Sequence, residues 1–429
     1  MIALNGYDFY EKYWRPFEHK VCLMENKGIQ VDVALCNQKQ QDCVIELDSL
    51  MSKLTSWLPA EMNVNSPLQV SKFLYNTKKL PKPPVAGTLK AVHRASSISA
   101  ATSEAALTWL SKNTGKEDSE ALKSLLKYKK RLKIKQFYEQ LVKYVDRDNR
   151  IHSQFSPSTE TGRLASKNPN LQNQPAEVRD VFVAKPGHKL VVLDEASLEW
   201  RILAHILAFK YQDYSLVNDI KAGINPHSAA AVRMGLVAPP IEDIKENYRW
   251  AYDIAKTLNY AINYGKTAEG LGIQLRDKND TPVGTEKATE YLETFYRVNP
   301  GIKRFHEDIV AFAQSHGYVR SLLGRYRYIP DIDAILYSRR KKGERQAKNV
   351  IQNCAADILV MAMNQIEDIP VLQVHDELVF EVAAENIDEC IHRYSYAMRN
   401  PFEGTREFLC PLDVDYGVGK NWKEAGGKG

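Results

Sequence analysis

Apolar positions in this chain follow two patterns: long stretches at helical spacing, and short unbroken runs of valine, leucine and phenylalanine. Helical spacing runs through 28–60, from Val31 by way of Leu47, Leu50 and Leu54 to Trp57. The Ser66–Pro67 step is a helix start, and the Pro81–Pro84 cluster is a loop. A helix carrying Leu107 and Leu110 and a long helix over 119–144 follow. Residues 240–316 read as mostly helical, and another helix covers 342–366. Unbroken apolar runs predict a strand ending at Asp194 that leads into a helix (188–207), a hairpin over 317–332, and a strand pair in VLQVHDELVFEV (371–382). The chain has no internal repeat. Strands ending in acids at 194 and 376, with a helical block between them, predict one sheet that carries a site beside a helical insertion.

Composition changes this picture little. With 429 residues, 44% hydrophobic and 26% charged, the chain is of ordinary globular type and can form two or three subdomains. A net charge of +5 hints only weakly at a polyanionic partner. The six cysteines lack CxxC spacing and nearby histidine pairs, which speaks against a zinc site or a disulfide framework. No apolar stretch reaches transmembrane length, and the opening residues have no signal or transit character. A location in the cytoplasm, away from membrane, is expected.

The chemistry sits where polar residues interrupt apolar ones. His375, Asp376 and Glu377 lie between two strands, where neighbouring carboxylates repel and lose solvation. An isolated strand-end aspartate is ordinarily a turn or helix cap. Two of them, Asp194 and Asp376, in one sheet would instead suit hard divalent cations and the clamp of an in-line phosphoryl transfer. In the helix 246–265, Tyr252, Lys256, Tyr260 and Tyr264 recur every four residues, while Trp250, Ile254, Leu258 and Ile262 form a second stripe. An aromatic stripe is ordinarily core, but a lysine among tyrosines suits a nucleotide, with the cation on phosphate and a ring under the base. The loop 158–175 is rich in base-edge chemistry: Arg163, Asn170, Gln172 and Asn173. Lys123, Lys127, Lys129, Lys130, Arg131, Lys133 and Lys135 surround the long helix, which is either a solvated surface or a rail for phosphates.

These motifs occur in a recognisable order: LMENKGIQVD, TGRLASKNPNLQNQP, LDEASLEWR, AKTLNYAINYG, GYVRSLLGRYRYIPDI, QVHDELVFEV and GVGKNW. In that order, and over nearly the whole chain from residue 20, the sequence resembles the polymerase portion of a family A (DNA polymerase I-like) DNA polymerase, most closely a bacteriophage-type member. The resemblance implies an α+β right-hand fold with an antiparallel-sheet palm, helical fingers and a helical thumb. It implies an N-terminal segment (1–30) on the palm, a thumb at 31–150, palm at 151–214 and 317–429, and fingers at 215–316.

The same resemblance implies roles. Asp194, Asp376 and the backbone carbonyl of Glu195 hold two Mg2+ ions, for which Mn2+ can substitute. Glu377 supports this site, and Lys256 contacts the triphosphate and protonates the leaving pyrophosphate. His227 reaches the same phosphates, while Glu199 excludes a ribose 2′-OH and Tyr260 favours acceptance of dideoxynucleotides. Tyr264 flanks the templating base, His375 lies near the primer terminus, and Arg163 and Gln352 read the minor groove without sequence preference. Asn170, Gln172 and Asn173 join the DNA contacts, and Lys129, Lys130, Arg131 and Lys133 become a phosphate rail.

The sequence also departs from the family. Tyr252 stands where the pattern has an arginine, and Arg249, two turns before Lys256, is expected to replace it at the nucleotide. LDEASLEWR lacks the usual Tyr-Ser-Gln, and the spacing around Asn349 and Gln352 is one residue short. Too few residues precede the thumb for a proofreading domain, so polymerisation without nuclease activity is expected. The expected partners are primer–template DNA and dNTPs, with a separate exonuclease, helicase or processivity factor, and the chain acting as a monomer in a bacterial or phage-infected cell. A single-subunit RNA polymerase and a catalytically silent primer–template binding protein are the rival readings.

Overall fold

The computed structural model describes residues 6–82, 102–239, 244–263, 265–279, 281–404 and 407–426. The chain divides into two compact units: Val31–Asn149 with Gln174–Val181, and Met1–Gln30 with Arg150–Asn173 and Phe182–Gly429. Residues 174–181, expected in the first palm segment, thus group with the 31–149 unit. The contacts explain this, since Asp32 N donates to Val181 O (2.8 Å) and Lys39 pairs with Asp180 (3.3 Å).

The first of these units is helical. Val33–Leu54 starts at Asp32, whose carboxylate accepts from Leu35 N (2.9 Å), and it packs on Lys116–Val142. Helix Pro67–Lys72 begins at the Ser66 cap, and Glu104–Lys112 carries Leu107 and Leu110 into the core. Trp57 and Phe73 meet edge to face at 4.8 Å, and the Trp57 indole donates to Asp118 (2.7 Å). The Pro81–Pro84 loop falls partly outside the described residues.

The second unit is built round a four-stranded antiparallel sheet: β1 (His188–Glu195), β2 (Leu372–Val374), β3 (Glu377–Ala383) and β4 (Val414–Gly419), in the order β4-β1-β3-β2. Leu190–Leu193 are all buried, as an unbroken apolar run in a central strand requires. Helix Ile387–Arg399 packs on the sheet, with the Tyr394 ring stacked on Phe380 at 4.2 Å. His375 and Asp376 alone join β2 to β3, and His375 takes φ 56°, the positive value that tight two-residue hairpin turns need. Among the described residues no helix is long and apolar enough to cross a membrane.

Two predicted helices are each interrupted. The 342–366 segment is two helices, Tyr337–Lys348 and Val350–Gln365, parted at Asn349, which leaves the helical conformation with ψ 17°. The 246–265 segment is Ile244–Asn247 followed by Arg249–Asn263. Periodicity carries across such breaks because one residue of irregular backbone hardly shifts the apolar phase.

Candidate active site

Antiparallel pairing of β1 with β3 sets Asp194 opposite Glu377, so Asp376 reaches the same edge of the sheet. Glu195 N lies 3.3 Å from Asp376 O, which ties the two acidic segments through their backbones. Both aspartates line a cavity of ≈ 500 Å³ together with Glu199, His227, Lys256 and Tyr260. The separation of 182 residues between Asp194 and Asp376 is closed by strand register, and three helices bring the other side chains to them.

The electrostatics of this edge call for a cation. Burial, and then the charge of Asp194, raise the Asp376 carboxyl to about 6. Glu195 is held well above the carboxylate range by burial and by both aspartates, and neither of its carboxyl oxygens has a hydrogen-bond partner. Crowded hard oxygens of this kind fit a magnesium-class ion, which takes one or two carboxylates and completes its shell with water and phosphate. Among the described residues no group of three or more His, Cys, Asp or Glu side chains is placed to hold a metal ion by itself.

Across the cavity, Lys256 and Tyr260 project from Arg249–Asn263, both solvent-exposed. His227 belongs to the neighbouring helix Pro226–Arg233, whose cap Asn225 accepts from His227 N and Ser228 N. Its ring is flanked by Tyr252 (5.5 Å) and Tyr260 (5.6 Å). Burial and the Lys256 charge lower its pKa to about 4. Arg163 binds Glu199 at 2.8 Å inside the same cavity, and exposed His375 is at its edge. Asp194, Asp376, Glu195, Glu199, His227, Lys256, Tyr260, Arg163 and His375 are therefore one constellation.

Other expected site residues are engaged elsewhere. Tyr252 is buried among Ala230, Ala231, Ile244, Ala251 and Ala255. A repeat of four drifts ~40° per step on a helix, so Tyr252 lies ~80° round from Tyr260 and faces the core. Arg249 binds its neighbour Asp253 (2.9 Å) and lines a separate ≈ 440 Å³ cavity with Arg276 and Lys278, not the one holding Asp194. Glu377 accepts from the Trp422 indole (2.6 Å), which anchors the C-terminal helix, and it does not line the cavity. Gln172 is buried and donates to Gln373 (3.1 Å), while its carbonyl accepts from Ser166 N. Asn170 organises its own loop by accepting from Gln172 N (3.1 Å) and Asn173 N (3.2 Å). Asn173 is exposed, and Gln352 accepts from Asn349 (3.0 Å).

In the helical unit, Arg131 pairs with Glu46 (2.7 Å) and Glu177, so it braces that unit. Lys129 is half-buried and its pKa is lowered by desolvation, whereas Lys130 and Lys133 are exposed. Tyr264 lies outside the described residues. Base-edge side chains in a loop thus served the loop itself: amides that can read a base can equally bind backbone.

Two polar cavity residues that sequence reasoning did not single out bear on the site. Asp415 faces Asp194 across the β4–β1 pair, and Asn259 lies one turn after Lys256. Asn259, polar within an apolar helix stripe, carried a signal; Asp415 is revealed only by strand pairing.

Residues 33–424 match the model of DNA polymerase family A. A thermostable DNA polymerase I of Thermus aquaticus is 31% identical, covering 97% of this chain and 48% of the relative. The thermostable DNA polymerase I of Thermus thermophilus is 30% identical with the same coverage, and DNA polymerase I of Pseudomonas aeruginosa is 30% identical over 96% of this chain and 44% of its own length. The chain thus spans about half the length of these relatives. Among solved structures, the POL domain of Pol1 from M. smegmatis, in complex with DNA primer-template and dNTP, superposes with a TM-score of 0.85. It is 29% identical and covers 97% of this chain and 71% of that one.

Proposed function

Because the chain belongs to DNA polymerase family A and has its α+β right-hand polymerase fold, we propose that it is a template-directed DNA polymerase that adds dNTPs to a primer 3′-OH and releases pyrophosphate. The observation that carries this reading is the meeting of Asp194 and Asp376 in one cavity with Lys256 and His227. The acidic edge suits cations and the opposite wall suits a triphosphate.

Asp194, Asp376 and the Glu195 carbonyl would hold two Mg2+ ions, or Mn2+ in their place, which when bound supply charge stabilisation to the phosphoryl transfer. Lys256 neutralises the triphosphate and gives a proton to the departing pyrophosphate. His227 binds the same phosphates. Tyr260 stands by the sugar, and Glu199 denies space to a 2′-OH and so selects dNTPs over rNTPs. In this reading His375 and Arg163 meet the primer end, with Arg163 released from Glu199 on the minor groove.

The Val31–Asn149 unit serves as the thumb, where exposed Lys123, Lys127, Lys130 and Lys133 follow the DNA backbone. The fingers are 215–316, and the sheet is the palm. The substrates are primer–template DNA and dNTPs, acted on by a monomer in the cytoplasm of a bacterium or a phage-infected cell, with any exonuclease, helicase or processivity factor as a separate partner. A bacteriophage-type origin is the finer part of this reading; the relatives named above are bacterial and lend it no support.

Extension of a labelled primer on a single-stranded template, with Mg2+ and dNTPs, tests the reading. Extension is expected with dNTPs, and neither with rNTPs alone nor in Asp376→Ala. Equal use of rNTPs would favour an RNA polymerase. Binding without extension would make the chain a primer–template binding protein.

A further inference from the structure

Asn259 is 2% exposed, yet it lies on the cavity wall between Lys256 and Tyr260. Its Nδ2 is 3.3 Å from Pro226 O and 2.8 Å from His227 Nδ1. A carbonyl oxygen only accepts, so Pro226 fixes which end of the amide faces it, and that end is the NH2. The same NH2 then donates to His227 Nδ1, which must be the bare nitrogen of the ring. A neutral imidazole carries one proton, so in His227 it is on Nε2, the nitrogen turned away from Asn259. Burial and the nearby Lys256 charge keep this ring neutral at neutral pH.

The alternative tautomer would place a lone pair at Nε2, which repels a phosphate oxygen. Packing alone does not account for the amide. Asn259 Oδ1 is buried without a hydrogen-bond partner, a cost that leucine at this position would avoid.

We propose that Asn259 is a positioning residue, holding His227 in the Nε2-protonated tautomer so that the imidazole donates a hydrogen bond to a phosphate of the incoming nucleotide. This rests on the polymerase reading above and deepens it: Lys256 supplies the charge, and His227 supplies a directed neutral donor. The Arg249–Asn263 helix thus contributes a cation and, one turn on, the group that sets its neighbour's proton.

The test pairs a spectrum with kinetics. In 15N-histidine NMR at pH 7, with His227→Ala for assignment, the wild-type His227 signal should be that of an Nε2–H imidazole and should shift on addition of dNTP with Mg2+. Asn259→Leu should populate both tautomers, and in primer extension should raise KM for dNTP about tenfold with kcat changed less than about twofold. An Nδ1–H signal for His227 in the wild type overturns the proposal whether or not Asn259→Leu folds. Redistributed tautomers with an unchanged KM also overturn it, because the phosphate contact is then absent. A wild-type chain that extends no primer refutes the polymerase reading instead, and the response of the His227 signal to dNTP and Mg2+ still decides whether this ring meets a phosphate.

Discussion

At the scale of the residue, Asp376 concentrates the conflict in this site. It sits in a two-residue turn, half-buried and close enough to Asp194 for the two charges to interact. Its pKa is raised to about 6, so between about pH 4 and 6 the folded chain keeps a proton that the unfolded chain has lost. Stability therefore falls as pH rises through that window. In chelator at pH 7, Asp376→Asn is expected to stabilise the fold by about 1–3 kcal/mol, an advantage that Mg2+ narrows; thermal denaturation with and without the ion measures it. His306 behaves with the opposite sign. It is buried, its Nε2 has no hydrogen-bond partner, and desolvation lowers its pKa to about 3. The unfolded chain binds that proton first, so stability is lost as pH falls below about 6.5. His306→Phe should flatten the decline of the urea midpoint between pH 6.5 and 4, even if it is less stable at pH 7.

At the scale of the element, the Lys116–Val142 helix separates two jobs that its sequence runs together. Arg131 faces Glu46 and Glu177 and ties the helix to segment 174–181, whereas Lys130 and Lys133 are exposed. Arg131→Met is expected to destabilise the chain by about 1 kcal/mol, since the partners are partly solvated, and to leave the salt dependence of DNA binding unaltered. Lys130→Glu with Lys133→Glu should do the reverse, weakening primer–template binding and lowering its salt slope by about 1 per lost phosphate contact. Fluorescence anisotropy across a salt series, beside a melting curve, reads both. Another device joins distant elements. Lys20 donates to the carbonyls of Met363 (2.6 Å) and Ile366 at the end of helix Val350–Gln365. Lys20→Met should cost about 1–2 kcal/mol in urea unfolding, because these carbonyls lose a charged donor at the negative end of the helix.

At the scale of the whole molecule, the chain leaves and re-enters its own units. The helical unit is completed by Gln174–Val181, to which the chain returns after Arg150–Asn173, through the contacts of Asp180 with Lys39 and of Glu177 with Arg131. A protein in which 31–149 is joined by a short flexible linker to 174–181 should melt about 5 °C or more above 31–149 alone. Equal melting temperatures would show that the returning segment adds nothing. The sheet obeys the same logic, because its two central strands, β1 and β3, are drawn from opposite sides of the helical insertion.

Local sequence determined the elements: Ser66 as a helix start, the apolar run of β1, the strand pair on either side of His375 and Asp376, and the ordered motifs that mark the family. Those signals are short-range, because caps, turns and apolar periods act within a few residues of backbone. Asp194, Asp376 and Lys256 were legible as candidates for the same reason, each being a polar group where its pattern wanted an apolar one, whereas His227 came only from the family resemblance. Which candidates share a cavity was decided only by tertiary structure. Strand register brought Asp415 opposite Asp194 and turned Glu377 to Trp422. Helix drift buried Tyr252, and hydrogen-bond geometry committed Gln172, Asn170 and Arg131 to the fold. The physical reason is that a side chain's type is written in the sequence, whereas its partner is whatever the packed chain brings within about 3 Å.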